Sequence, residues 1–129
     1  MFSHRLPLEP VPASRPRVTK AGYVYYPKRY AGFKREAAAL LPSYVYYTCG
    51  LHYPINGFLE ITVGFFVRRP KTTKLKYPKP DYDNYLKALD VLNGIIWADD
   101  SQIIVAHCRK EWAEPGLAGY IDLTVREVE

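Results

Sequence analysis

Leu59, Ile61, Val63, Phe65 and Val67 fall on every second position of residues 58–67, the period of a strand with one buried face. Alternation returns over residues 103–112 and 120–128, and residues 114–119 (EPGLAG) join the two runs. That pattern predicts two further strands, paired as a C-terminal antiparallel hairpin with a longer loop. Leu6 and Leu8 alternate with polar and proline positions and predict a short first strand. Residues 11–27 are rich in proline and basic side chains; Ala21-Gly22 reads as a turn and Tyr23 to Tyr26 as extended. Tyr30, Phe33, Ala37 and Leu40/Leu41 recur at helical spacing, so a helix is expected over 28–41, ended by Pro42. A second helix is expected from Asp83 to Asn93, stopped by Asn93-Gly94. Residues 68–80 (RRPKTTKLKYPKP) lack periodicity and read as an exposed loop. The expected fold is α+β (mixed α/β): a single small domain over 1–129, with a mixed sheet and two main helices.

Composition narrows the class. The 129 residues are 48% hydrophobic and 24% charged, the balance of a folded globular chain. The net charge of +5 hides an asymmetry. Residues 1–80 carry 14 basic and 3 acidic side chains, and residues 81–129 carry 4 and 10. A basic part followed by an acidic one points to an anionic partner and to concentrated carboxylates. The chain has no apolar run of membrane-spanning length, and its N-terminus lacks the apolar core of a signal peptide. No membrane partner and a cytoplasmic location are therefore expected. Cys49 and Cys108 lack the spacing of a zinc site and read as two buried, reduced thiols, with a single bridge between them as the alternative. His4, His52 and His107 form no metal-binding pattern. Dinucleotide, Walker and serine-hydrolase motifs are missing from the sequence.

The informative segment is 79–102, KPDYDNYLKALDVLNGIIWADDSQ, which holds Asp81, Asp83, Asp90, Asp99 and Asp100. At about 100° per helical residue, Lys87 and Asp90 fall within about 40° of Asp83. Leu86, Leu89 and Leu92 then point to the opposite side. Asp81 precedes the helix, where a carboxylate either caps free N–H groups or turns into a cleft. A plain N-cap at Asp81 or Asp83, an exposed Asp83–Lys87 pair and a simple turn at Asp99-Asp100 are the alternatives. An EF-hand is a poor fit, because Leu86 stands where glycine is required. Magnesium suits this set better, as a hard cation bound by carboxylates and substrate phosphates, with manganese as a possible substitute.

Asp81-x-Asp83-Asn84-x-x-Lys87, Asp90-x-Leu92-Asn93 and Trp97-x-Asp99-Asp100-Ser101-Gln102 together resemble the signature of the RusA family of Holliday-junction resolvases. Arg15-Pro16-Arg17 and Tyr25-Tyr26-Pro27 are similar to the opening of phage-type members. The resemblance implies a homodimeric, magnesium-dependent endonuclease that resolves four-way DNA junctions by paired cuts in recombination and repair. By that match Asp81, Asp83 and Asp100 would bind metal and Lys87 would be the essential lysine. Asn84, Asp90 and Asp99 match accessory positions. Some members carry arginine directly before the first aspartate; here Pro80 stands there, with Lys79 before it. A metal-activated water would attack in line, leaving a 5′-phosphate and a 3′-hydroxyl. A less selective nuclease for branched or flap DNA, and an inactive DNA-binding protein, are the competing readings.

Arg15, Arg17, Lys20, Arg68, Arg69, Lys71, Lys74, Lys76 and Lys79, with Lys28 and Arg29, are the expected phosphate contacts. Tyr23, Tyr25, Tyr26, Tyr30 and Tyr77 are interleaved with that charge and serve either the core or stacking on an unpaired base. Strands 58–67 and 103–112 are the candidate dimer surfaces.

Overall fold

The computed structural model describes residues 2–49 and 54–128; His52 and the side chain of Cys49 lie outside the described set. The element order is β1 (Phe2–Leu6), β2 (Arg17–Val18), β3 (Val24–Tyr25), α1 (Lys28–Cys49), β4 (Leu59–Val67), α2 (Tyr82–Lys87), β5 (Ile103–Trp112) and β6 (Tyr120–Glu127). Two 3₁₀ turns, Ala88–Leu92 and Asp100–Gln102, lie between α2 and β5. The architecture is the expected α+β: one mixed sheet with helices on its apolar face.

The sheet order is β1-β6-β4-β5. β4 runs parallel to β5 and antiparallel to β6, and β1 runs antiparallel to β6. The two C-terminal strands therefore run antiparallel to each other and follow one another closely, as expected. Their pairing differs from the expected hairpin: β4 lies between them, and each bonds to β4 instead of to the other. The reason is in β4 itself. Its run ITVGFFV is apolar at nearly every position, which suits a strand flanked on both edges. The seven residues between β5 and β6 easily cross the two strand spacings of about 4.8 Å each.

Leu59, Ile61, Val63, Phe65 and Val67 are all buried, joined by Ile121, Leu123 and Val125 of β6 and Phe2 and Leu6 of β1. Helix α1 lays Tyr30, Phe33, Ala37, Leu41 and Val45 on this face. Pro42 does not end it. The proline sits on the exposed side of a 22-residue helix, and the buried neighbours Leu41 and Val45 offset the hydrogen bond that its ring removes. Tyr44 Oη donates to the Arg5 carbonyl at 2.7 Å, fastening the helix to the edge of the sheet. The opposite sheet face is polar, with Arg5–Asp122 at 2.8 Å, Ser3–Thr124 at 2.9 Å and Glu60 held by Arg126 and by His107 at 3.0 Å.

The expected second helix breaks in two. α2 ends at Lys87 and the chain tightens into the 3₁₀ turn Ala88–Leu92. Leu89 and Leu92, three residues apart and thus on one side of a 3₁₀ turn, are both buried, as is Ala88. Ahead of α1, β2 and β3 form a separate two-stranded hairpin. Its turn uses Gly22 at φ 90°, a conformation that favours glycine.

Candidate active site

The crossover from β4 to β5 builds the site. A cleft of about 350 Å³ opens between α2 and the sheet, and its polar lining comprises Asp83, Lys87 and Asp100. Ile61 of β4 with Ile103 and Ala106 of β5 supply its apolar floor, and Leu86 and Leu89 line it from the helical side. Leu86 and Leu89 thus face the cleft instead of pointing away from it with Leu92. Asp83 and Lys87 are one helical turn apart, with Lys87 Nζ 3.8 Å from Asp83 Oδ2. Both side chains are more than half exposed, so this pair adds little stability and both groups stay accessible to a ligand.

Asp100 reaches the same cleft from the other end of the crossover, at the start of the 3₁₀ turn. That turn is fixed by a reciprocal cap. Asp99 accepts from the Ser101 N–H at 3.0 Å, and Gln102 Oε1 accepts from the Asp99 N–H at 2.8 Å. Gln102 Nε2 then donates to the carbonyls of Ile55 at 3.0 Å and Gly57 at 2.8 Å. The Ser101 hydrogen bonds hold the Asp99 carboxyl below its ordinary range. Asp99, expected as an accessory site group, spends its carboxylate as a cap and is not part of the cleft lining.

Asp90 also departs from the expected acidic face. Its carboxylate is drawn to α1, where Tyr30 Oη donates at 3.4 Å and Lys34 Nζ lies at 3.5 Å. Burial, then the charge of Asp90, raises the Tyr30 hydroxyl above its ordinary value. Asn84 is half-buried, and its carbonyl accepts from the Ala13 N–H at 2.8 Å, so the segment before β2 straps across α2. Asp81 holds the N-cap position of α2 but makes no side-chain capping bond. It is exposed and outside the cleft lining.

Two residues that sequence reasoning missed position the approach to Asp81. Lys110 Nζ donates to the Pro80 carbonyl at 2.7 Å, and Trp112 Nε1 donates to the Leu75 carbonyl at 2.9 Å. Both project from β5, and their partners lie at least thirty residues earlier, so local pattern carries no signal of them. Gln102 did have one: its spacing from Asp99 is that of a capping box.

Among the described residues no three His, Cys, Asp or Glu side chains gather as a metal cage. The donor set in the cleft is two carboxylates, Asp83 and Asp100, beside a lysine. Two oxygen donors with open solvent around them fit magnesium, which keeps several waters and completes its shell with substrate phosphate.

All nine basic residues expected to hold phosphate (Arg15, Arg17, Lys20, Arg68, Arg69, Lys71, Lys74, Lys76 and Lys79) are exposed. None of them enters an ion pair among the described residues. Of the five tyrosines interleaved with that charge, Tyr30 belongs to the core and the other four are exposed. No described helix is long and apolar enough to cross a membrane.

Residues 7–121 match the family model described as Endodeoxyribonuclease RusA. That span takes in β2 and β3, both helices, β4, β5 and every residue of the cleft. No curated protein matches the chain.

Proposed function

The chain belongs to the RusA endodeoxyribonuclease family, and from that premise we propose a magnesium-dependent, homodimeric enzyme that resolves four-way junctions at the Asp83–Lys87–Asp100 cleft. The observation that carries this reading is the convergence of Asp83, Lys87 and Asp100 on one cleft from opposite ends of the β4–β5 crossover. A simple cap at Asp83 or a plain turn at Asp100 would not bring them together.

Asp83 and Asp100 would hold the magnesium, with exposed Asp81, free of a capping bond, available as a third ligand. When bound, that ion supplies Lewis-acid polarisation of the phosphate and a water acidic enough to attack it. Lys87 Nζ, on the same wall as Asp83, would neutralise charge that builds on the phosphoryl oxygens during attack. The apolar floor of Ile61, Ile103 and Ala106 excludes bulk water on one side and strengthens these interactions. The exposed basic residues from Arg15 to Lys20 and from Arg68 to Lys79 would hold the DNA backbone, so binding falls steeply with salt.

Paired cuts in a four-way junction call for two sites related by a two-fold axis, which a homodimer supplies. Of the two candidate dimer surfaces, β4 is enclosed between β5 and β6. β5 is the sheet edge and exposes Ile104 and Val105, so it is the surface proposed for the partner. The proposed setting is DNA recombination and repair in the cytoplasm of a bacterium or phage-infected cell.

The test is a panel of a synthetic four-way junction, a flap and a linear duplex, each with Mg²⁺, with Mn²⁺ and with a chelator. Metal-dependent cutting of the junction and sparing of the linear duplex is expected. Equal cutting of the linear duplex contradicts junction selectivity, and preferred cutting of the flap favours a broader branched-DNA nuclease. No cutting of any substrate points to an inactive DNA-binding protein.

A further inference from the structure

The β2–β3 hairpin has no place in the chemistry of the cleft, yet its valines and tyrosines are exposed. Val18 is 64% exposed, Val24 67%, Tyr23 74% and Tyr25 47%. Solitary exposed apolar residues are ordinary, but a contiguous set on one projecting element marks a contact surface. The pairing register, Arg17 with Tyr25 and Val18 with Val24, sorts the side chains onto two faces. Arg17, Tyr25 and, one step nearer the turn, Thr19 and Tyr23 share one face; Val18 and Val24 share the other. Thr19 fixes the end of the hairpin: its N–H donates to the Tyr23 carbonyl at 2.9 Å and its hydroxyl accepts from the Tyr23 N–H at 3.0 Å.

The rings at this face are free. Among the described residues Tyr26 packs edge-on to Tyr30 and under Lys34, and Tyr77 lies beneath Lys110. Among the described residues Tyr23 and Tyr25 have no ring or cation partner. The chain around them is basic: no acidic residue occurs between Glu9 and Glu36, a stretch holding Arg15, Arg17, Lys20, Lys28, Arg29, Lys34 and Arg35. The hairpin is also tied to the cleft. The segment leading into it is bonded to α2 through Ala13 N–H and the Asn84 carbonyl at 2.8 Å, and Asn84 neighbours Asp83.

We propose that the β2–β3 hairpin is a junction-reading wedge in which Tyr23 and Tyr25 stack on bases exposed at the branch point, while Arg17 and Lys20 hold the flanking phosphates. In an intact duplex each base face is already covered by its neighbours, so the two rings find a partner only where the helix is interrupted. The electrostatic grip serves any DNA; the stacking serves only the branch. Selectivity for branched DNA thereby arises away from the cleft that cuts. This inference rests on the junction reading of the preceding section and deepens it.

The test compares wild type with Tyr23→Ala/Tyr25→Ala and Tyr23→Phe/Tyr25→Phe. Affinity for a four-way junction and a linear duplex is measured in chelator, and 2-aminopurine placed at the branch reports stacking. The alanine variant should lose roughly 5- to 150-fold in junction affinity per stacked base, keep its linear-duplex affinity and lose the quenching of 2-aminopurine. The phenylalanine variant keeps the ring and should behave as wild type. Both rings lie outside the core, so the melting temperatures of all three proteins should agree. Equal losses on junction and linear duplex, or retained junction preference in the alanine variant, overturn the wedge. So does a shift of the alanine variant to a smaller species in gel filtration, which would assign the hairpin to self-association. A wild type without junction preference overturns the parent reading and the wedge together; a wild type with that preference and an alanine variant sharing it overturns the wedge alone.

Discussion

Gln102 is not itself part of the cleft lining, yet it fixes the turn from which Asp100 enters it. Its side chain donates to the Ile55 and Gly57 carbonyls at 3.0 and 2.8 Å and accepts from the Asp99 N–H at 2.8 Å. At about 1 kcal/mol net for each hydrogen bond, Gln102→Ala removes roughly 3 kcal/mol, less what water returns to the exposed Gly57 carbonyl. A loss of about 2–3 kcal/mol corresponds to a fall in melting temperature of roughly 6–15 °C for a chain of this size. Freed of its cap, Asp100 loses its fixed position, and a misplacement of about 1 Å costs on the order of 100-fold in rate. Gln102→Glu sharpens the test. It keeps the acceptor for Asp99 but has no donor for the two carbonyls and sets negative charge against them, so it should be at least as damaging as alanine. Thermal unfolding and single-turnover cleavage of a four-way junction, below the melting temperature of every variant, provide the readouts. A Gln102→Ala protein with wild-type stability and rate, or a Gln102→Glu protein that behaves as wild type, refutes the reasoning.

Gly119 is closely packed: a Cβ there would collide with Glu9 Oε2 and sit 2.6 Å from the Phe66 carbonyl of the central strand. Gly119→Ala should therefore cost several °C in melting temperature, and an unchanged melt would show that Glu9 leaves its place freely. Burial pushes the Cys108 thiol up from 9.0 to about 11, so in a Cys49→Ser background its alkylation at pH 8 should run about 100-fold slower than free cysteine. Equal rates would contradict that burial. The acid side of the stability curve should reflect Glu60 and Asp99, held below the ordinary carboxylate range chiefly by Arg126 and by Ser101 respectively. Because the folded values are the lower ones, this stabilisation is complete above the unfolded carboxylate range near about pH 4 and is lost as the pH falls through the folded values. Glu60→Gln should flatten the change in melting temperature between pH 6 and 3, and an unaltered slope would contradict the Glu60 contribution.

The parts of the fold carried by periodicity were legible in the sequence. Alternation located β4, β5 and β6, and helical spacing located α1, because burial on one face writes itself into local order. Pairing did not follow from pattern: β4 separates β5 from β6 because its own apolar run suits a central strand, a contest between strands that adjacency along the chain conceals. Pro42 was misread for a related reason, since Leu41 and Val45 are held by the sheet and not by helix propensity. In the site, spacing correctly joined Asp83 to Lys87, one turn apart on α2. It misplaced Asp90, whose partners Tyr30 and Lys34 belong to a distant helix. Asp99 and Asp100 are adjacent and chemically identical in sequence, yet one caps a turn and the other lines the cleft. Lys110 and Trp112 stayed invisible because hydrogen bonds to distant carbonyls leave no spacing to read.

The cleft itself is tested most directly by Asp83→Asn and Asp100→Asn, assayed on a four-way junction for binding in chelator and for cleavage in Mg²⁺. Each substitution keeps the shape of the side chain and removes its charge. Wild-type junction affinity with a cleavage rate lower by roughly 100-fold or more is the expected result for both. Normal cutting by either variant would contradict the assignment of the cleft as the place where the phosphodiester is hydrolysed.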